Sequence, residues 1–309
     1  MIHNDAEIAD FKKLGIHVIR RGDKNYPERL NNLIQPPEVL YCRGDLDLLS
    51  RPAIAIVGTR DSTRYGVDIA KRFAKVFAEN GVVVISGLAE GIDTAAHLGA
   101  IEGGGAKSTI AVLGNGLNIN YPTKNAKLQG EIAEKGLLVS EYLPNFNGTT
   151  WSFPARNRIV AALSSAVLIV EADIKSGTMI TKDYALDLGL DVFAIPGSVV
   201  APQSRGTNKL IRDGNAAMAT EPMDVLNILG GYKARKIMKK PSAEPKSFVQ
   251  ISFDERRILD VLKRDEVHID ELVEKIDLPI QRLATILTEM EMKGILEKLP
   301  GNVFAANIG

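Results

Sequence analysis

FPARNRIVAALSSAVLIVEADIKSGTMITKD, residues 153–183, reads as helix, strand, loop and helix. Residues 166–171 (AVLIVE) form a short apolar run, β-branched in part and closed by a charge, as in a strand buried on both faces. The loop Asp173-Ile174-Lys175-Ser176-Gly177-Thr178 follows, small and rich in hydroxyls, and an amphipathic run continues to Leu188. Such a loop, between a buried parallel strand and a helix start, makes an anion site. Free N–H groups of the first helical turn and the positive end of the helix dipole converge there. Lys175 adds a full charge at the same place.

Working outward, the same unit recurs. Apolar strand-like runs begin near Ala53, Val82, Ser108, Leu137, Ala166, Asp191 and Ala216, roughly one strand, one helix and two short loops apart. Helical stretches are expected over 66–80, 91–101, 123–135, 154–165, 177–188 and 204–213. In the first of these Ile69, Phe73, Val76 and Phe77 share one face. Alternating strand and helix gives an α/β fold with a parallel sheet covered by helices. About seven strands favour an open doubly wound sheet, with an eight-stranded barrel as the alternative. Ligands of an open sheet bind at the carboxyl ends of its strands, near a topological switch point.

Those ends are Gly58-Thr59-Arg60, Ser86-Gly87, Gly114-Asn115-Gly116, Glu141-Tyr142, the loop 171–178 and Pro196-Gly197. Glycine recurs where backbone must turn tightly or approach a ligand. With Arg60 and Lys175 beside it, the set predicts an anion-binding crevice.

The flanks carry less chemistry. Residues 1–50 are expected to form an N-terminal extension packing on the core, with Val18-Ile19 extended and Val39-Leu40-Tyr41 as an edge strand. Residues 51–230 form the main domain, and 231–252 a basic linker. Residues 253–309 restart as three helices and a hairpin, the winged-helix pattern, with Asp254 as a cap of the first helix.

An apolar fraction of 45% and a charged fraction of 25% in 309 residues describe one large and one small soluble domain. The longest apolar run, 159–170, is too short to cross a bilayer and holds two serines. No signal peptide is read in the polar, acidic start, and a cytoplasmic protein without membrane insertion is expected. Cys42 is the single cysteine, so no intrachain disulfide or cysteine-rich zinc site forms. The four histidines are scattered, and neither a metal nor a cofactor is expected. The zero net charge hides an asymmetry: residues 251–309 hold 8 basic and 12 acidic side chains, a net of −4 against +4 for the remainder.

Several chemistries are excluded by missing motifs: the dinucleotide fingerprint after the first strand, the P-loop and the G-x-S-x-G elbow. Asp93 and His97 stand four apart and form either a dyad or a structural pair. Glu141 and Glu171, both ending strands, serve either as acid and base or as holders of Arg156, Arg158 or backbone donors. Trp151, Phe153 and Tyr142 suit base stacking along a single strand, or ordinary core and dimer contacts.

The runs AIVGTRDSTRYG (53–66), SGLAEGIDTAAHLGA (86–100), AVLGNGLNINYP (111–122), FPARNRIVAALS (153–164), KSGTMIT (175–181), VFAIPG (192–197) and SRGTNKLI (204–211) occur in one order. In them the chain resembles the bacterial DNA-processing protein A (DprA/Smf) family. The resemblance implies an extended Rossmann-like fold that binds single-stranded DNA in a basic pocket, without catalysis. It also implies a homodimer that protects incoming DNA and helps load the RecA recombinase in natural transformation. Carried over, the pocket is Gly58, Thr59 and Arg60, Gly87, then Lys175, Ser176, Gly177 and Thr178, with Asn208 and Lys209 near its rim. Arg156 and Arg158 match family positions as well, either touching DNA or bracing the fold.

Two readings compete. One is a nucleotide-processing hydrolase of the phosphoribohydrolase type, whose P-G-G-x-G-T-x-x-E run is matched only in pieces by Pro196-Gly197-Ser198 and Ser176-Gly177-Thr178. The other is an interaction scaffold with the winged helix as its working part.

Overall fold

The computed structural model describes residues 10–229, 253–262, 267–276, 278–293, 295–299 and 301–306. The chain divides into two compact units, Met1–Lys236 and Ile237–Gly309. The basic linker expected over 231–252 lies outside the described residues.

The first unit is built on a nine-stranded sheet. Its parallel part comprises β3 (Ala53–Val57), β4 (Val83–Ser86), β5 (Thr109–Val112), β6 (Leu137–Ser140), β7 (Ala166–Ile169), β8 (Asp191–Ala194) and β9 (Ala217–Met218). These are the seven strands the apolar runs predict. Ahead of them, β1 (His17–Arg20) and β2 (Val39–Gly44) extend the sheet, in the order β1-β2-β6-β5-β4-β3-β7-β8-β9. The sheet is open, so the barrel alternative falls. Strand β2 is no edge strand: it pairs antiparallel with β6, Cys42 facing Val139, and β1 takes the edge outside it.

Alternation along β3 shows why this strand is buried on both faces. Ala53, Ala55 and Val57 point into one core with Ile159 and Val160 of α4 (Ser152–Ala162) and Ala185 of α5 (Thr178–Asp187). Ile54 and Ile56 point into the other, against Phe73 and Phe77 of α1 (Arg64–Glu79) and Ala96 of α2 (Ile92–Gly104). Phe73 and Phe77 meet edge-on at 6.0 Å and are fully buried, each contributing about 1.5–3 kcal/mol. Helix α3 (Ala126–Lys135) sends Leu128 and Ile132 into a further cluster with Ala111 and Leu138.

The order of the sheet reverses at β3, which pairs in parallel with β4 on one side and β7 on the other. Val57 stands level with Ile169, so the loops after β3 and β7 leave the sheet side by side. That is the switch point, and the crevice opens there. After β8, helices α6 (Pro202–Arg212) and α7 (Pro222–Leu226) close the unit.

The second unit is a winged helix: α8 (Phe253–Leu262), α9 (Ile269–Ile276) and α10 (Ile280–Met292), with β11 (Leu296–Leu299) and β12 (Val303–Ala306) as the hairpin. Ile258, Leu272, Leu283, Leu287 and Phe304 fill its core. A third strand, β10 (Val267–His268), joins β12, and at two residues it is too short to show a period in sequence. Asp254 is not a cap but sits in the first turn of α8, accepting from Arg282 at 2.8 Å. Among the described residues no helix is long and apolar enough to cross a membrane.

Candidate nucleic-acid interface

The carboxyl ends of β3 and β7 and the start of α4 enclose a crevice of about 800 Å³. Gly58, Thr59 and Arg60 line one side and Ser176, Gly177 and Thr178 the other; Phe153 and Arg156 of α4 complete it. A smaller recess of about 250 Å³ between Arg60, Gly87, Tyr121 and Arg156 adjoins it.

The walls are held from behind. Glu171, fully buried at the end of β7, accepts from the Thr63 backbone N–H at 2.9 Å and from the Thr63 hydroxyl. Thr63 in turn accepts from the Gly66 N–H and caps α1. Thr59 donates its N–H to the Glu171 carbonyl at 2.7 Å, joining the β3 and β7 loops directly. Glu171 therefore shapes the crevice without lining it, and Glu141, at the end of β6, is occupied elsewhere. The acid–base reading of these two carboxylates has no geometric support.

Arg156 is 5% exposed at the crevice floor. Its Nη1 donates to the carbonyls of Gly87 (2.7 Å) and Val112, and its Nε to Asn157. Burial lowers its pKa to about 10, offset in part by the charge of Asp93. A Cβ on Gly87 would stand 2.4 Å from Nη2, so only glycine lets this guanidinium lie flat against the loop. Asp93 accepts from the N–H groups of Gly87 and Ala89, and burial raises its pKa despite Arg156. His97 faces Thr109 instead, Nδ1 to hydroxyl 2.7 Å, and burial pushes it down to about 3. Among the described residues this enclosed imidazole makes no hydrogen bond to Asp93, so the two form no catalytic dyad.

Arg60 is exposed and has no hydrogen bond or ion pair among the described residues. Gly177 has φ −58° and would tolerate a side chain sterically, with no atom within 4 Å of an added Cβ. Neither backbone conformation nor packing among the described residues requires a glycine there. Tyr121 and Phe153 form an aromatic wall, ring centroids 4.8 Å apart. Thr149, also in the crevice lining, keeps a buried hydroxyl without a partner among the described residues.

Gly87 lines only the adjoining recess, and four expected residues lie outside both the crevice and the recess. Arg158 makes a bidentate pair with Glu141, both bonds 2.6 Å, and also donates to the Gln35 carbonyl. It ties α4 to the sheet and to the N-terminal extension. Asn208 exchanges two hydrogen bonds with the backbone of Gly197, at 3.0 and 3.1 Å, and so fixes the loop after β8. Lys209 pairs with Asp213 one turn away. Lys175 is exposed on the α5 loop and also lacks a partner, but stands outside the crevice wall. Tyr121, which sequence reading passed over, lies in a turn between β5 and α3 where no periodic pattern marks it. Its signal was the aromatic itself, five residues beyond the strand end Gly114-Asn115-Gly116.

Both units are similar to known proteins. Residues 17–230 match the family described as DNA recombination-mediator protein A, and residues 239–302 the DprA winged helix domain. The chain is 45% identical over 206 residues to the DNA processing protein DprA of Streptococcus pneumoniae, spanning 66% of this chain and 71% of that protein. It is 35% identical over 294 residues to protein Smf of Escherichia coli, spanning 92% and 76%. The X-ray structure of S. pneumoniae DNA processing protein A superposes with a TM-score of 0.67 at 41% identity, covering 72% of this chain and 77% of that one. A Helicobacter pylori DNA processing protein A, whose structure is described for its single-stranded DNA binding mode, superposes at 0.63 with 36% identity, covering 69% and 95%.

Proposed function

This chain belongs to the DNA recombination-mediator protein A family, and we propose that its crevice binds the backbone of single-stranded DNA for hand-over to a RecA-type recombinase. The observation that carries the reading is Arg60, unpartnered at the mouth of the crevice, opposite the empty approach over Gly177. A phosphate placed between them meets a full charge and an unobstructed helix N-terminus. Tyr121 and Phe153 offer π-faces to an unpaired base, which a duplex keeps inside its own stack. Lys175 stands where the strand leaves over the α5 loop, ready for a further phosphate. Arg156, Arg158, Asn208 and Lys209 act as braces of the surrounding loops. The chain works as a homodimer that shields incoming DNA during transformation, and its role is binding and delivery, not turnover of the nucleic acid.

The winged helix is not the strand-binding part. Of the basic residues on its third helix and just after it, Arg282 is paired with Asp254 and Lys293 with Glu255 at 2.7 Å. Cations held by carboxylates release few counterions from DNA, and the net charge of −4 over 251–309 opposes the approach of a duplex. Fluorescence anisotropy with labelled single- and double-stranded oligonucleotides, over a range of salt concentrations, tests both statements. The full chain is expected to prefer single strands, and removal of residues 251–309 to leave most of that affinity in place. Equal affinity for both forms, or loss of binding with the winged helix, would overturn the assignment.

A further inference from the structure

A second group of aromatic rings stands just outside the crevice. Trp151 opens α4 between Thr150 and Phe153, which both line the crevice, yet its own ring faces outward and is 59% exposed. Two rings hold it from behind. Tyr142 meets it edge-on at 5.9 Å and Phe146 at a tilt at 6.3 Å, while Tyr142 and Phe146 stack on each other at 4.8 Å. Beyond them a shallow groove of about 340 Å³ runs past Leu143 and Tyr41. Its two carboxylates are engaged, Glu141 with Arg158 and Glu38 with Arg21 at 3.1 Å. Among the described residues no cation lines the groove, so they offer rings and no charge for a phosphate.

We propose that Trp151, braced by Tyr142 and Phe146, is a second stacking station that takes one unpaired nucleobase after the strand leaves the crevice. The inference rests on the crevice being the single-strand site. Continuity supports it: the segment 147–150 forms crevice wall, and Trp151 is the next residue along it. A ring pinned on two sides loses little freedom when a base covers its open face, and every base presents such a face, so the station is sequence-tolerant. It lengthens the bound strand without adding a phosphate contact.

Trp151 is the single tryptophan of the chain, so its fluorescence reports this station alone. Full-length protein is titrated with oligo-dT strands of increasing length, following tryptophan quenching and, separately, the anisotropy of a label on the DNA. Short strands held in the crevice are expected to bind without quenching. Above a threshold length, quenching and a rise in affinity are expected to appear together. Trp151→Ala should remove that rise, about 5- to 100-fold in Kd, while short strands bind as before and the log K against log salt line keeps its slope. Trp151→Phe should restore most of the rise, which separates stacking from damage to the fold.

Absence of quenching at every length, with Trp151→Ala binding long strands like the parent, would overturn the station while leaving the crevice intact. An equal loss for short and long strands would also overturn it, placing Trp151 in the crevice wall. Failure of the parent to bind even short strands would overturn the crevice reading, and this one with it.

Discussion

Gly177→Val is expected to lose at least about tenfold in single-strand affinity, ~1.4 kcal/mol, with thermal stability left almost unchanged. The backbone at Gly177 lies in the right-handed helical region, φ −58° and ψ −16°, which valine adopts without strain. Apart from its own chain neighbours, no atom of the described residues stands within 4 Å of the new Cβ, so the fold neither gains nor loses packing. Stability should therefore stay within about 0.5 kcal/mol, as for ordinary surface changes. The isopropyl group would fill the space over the loop through which, on the proposed reading, a sugar-phosphate backbone reaches the α5 N-terminus. Gly177→Ala, smaller by two methyl groups, should lie between. Anisotropy for binding and a melting curve for stability read the two effects apart. A destabilised protein whose folded fraction binds normally would make this glycine structural.

Arg156→Ala is expected to act in the opposite way, on the fold before the ligand. The guanidinium supplies donors to the Gly87 and Val112 carbonyls, and positive charge beside buried Asp93. Removing it leaves two acceptors without that donor and takes a positive charge away from the neighbourhood of buried Asp93, a loss of about 2–5 kcal/mol. Urea denaturation should show a midpoint well below the parent's. Arg158→Ala breaks a pair that is also largely buried, with side chains 13% and 16% exposed, but leaves Glu141 nearer to water and should cost less. If Arg156→Ala unfolds at the parent's midpoint and has lost DNA binding, the residue is a ligand contact and not a brace.

These two arginines mark the limit of what the sequence could disclose. They stand two apart on α4, and residues so spaced point to different sides of a helix. Motif membership recommends both, yet one is turned under the crevice and the other away, to a carboxylate 17 residues earlier. Asn208 and Lys209 likewise match a family run, but their partners, Gly197 and Asp213, are fixed by the loop after β8 and the turn of α6. Such assignments depend on which face a helix presents, and no spacing rule states that. The fold was far more legible. A strand buried on both faces must be apolar at every position, so AIAIV of β3 and AVLI of β7 stand out as uninterrupted runs. Their pairing with each other is not written in the runs: doubly wound topology places a ligand at strand ends near a switch point, and the structure shows that β3 and β7 meet there. What escaped were elements with little pattern to show: two-residue β10, the inner place of β2, and Tyr121 in its turn.

The salt dependence of single-strand binding in three proteins tests the central claim most directly. Parent, Arg60→Ala and Lys175→Ala are each titrated with one oligonucleotide at several salt concentrations. Each phosphate contact contributes roughly 0.7 to the slope of log K against log salt for a single strand. Both side chains are exposed and unpartnered among the described residues, so neither substitution should alter the melting temperature. Each variant is predicted to bind more weakly, with a slope lower than the parent's by about 0.7. If both bind like the parent at every salt concentration, the phosphates lie elsewhere and the crevice is not the DNA site.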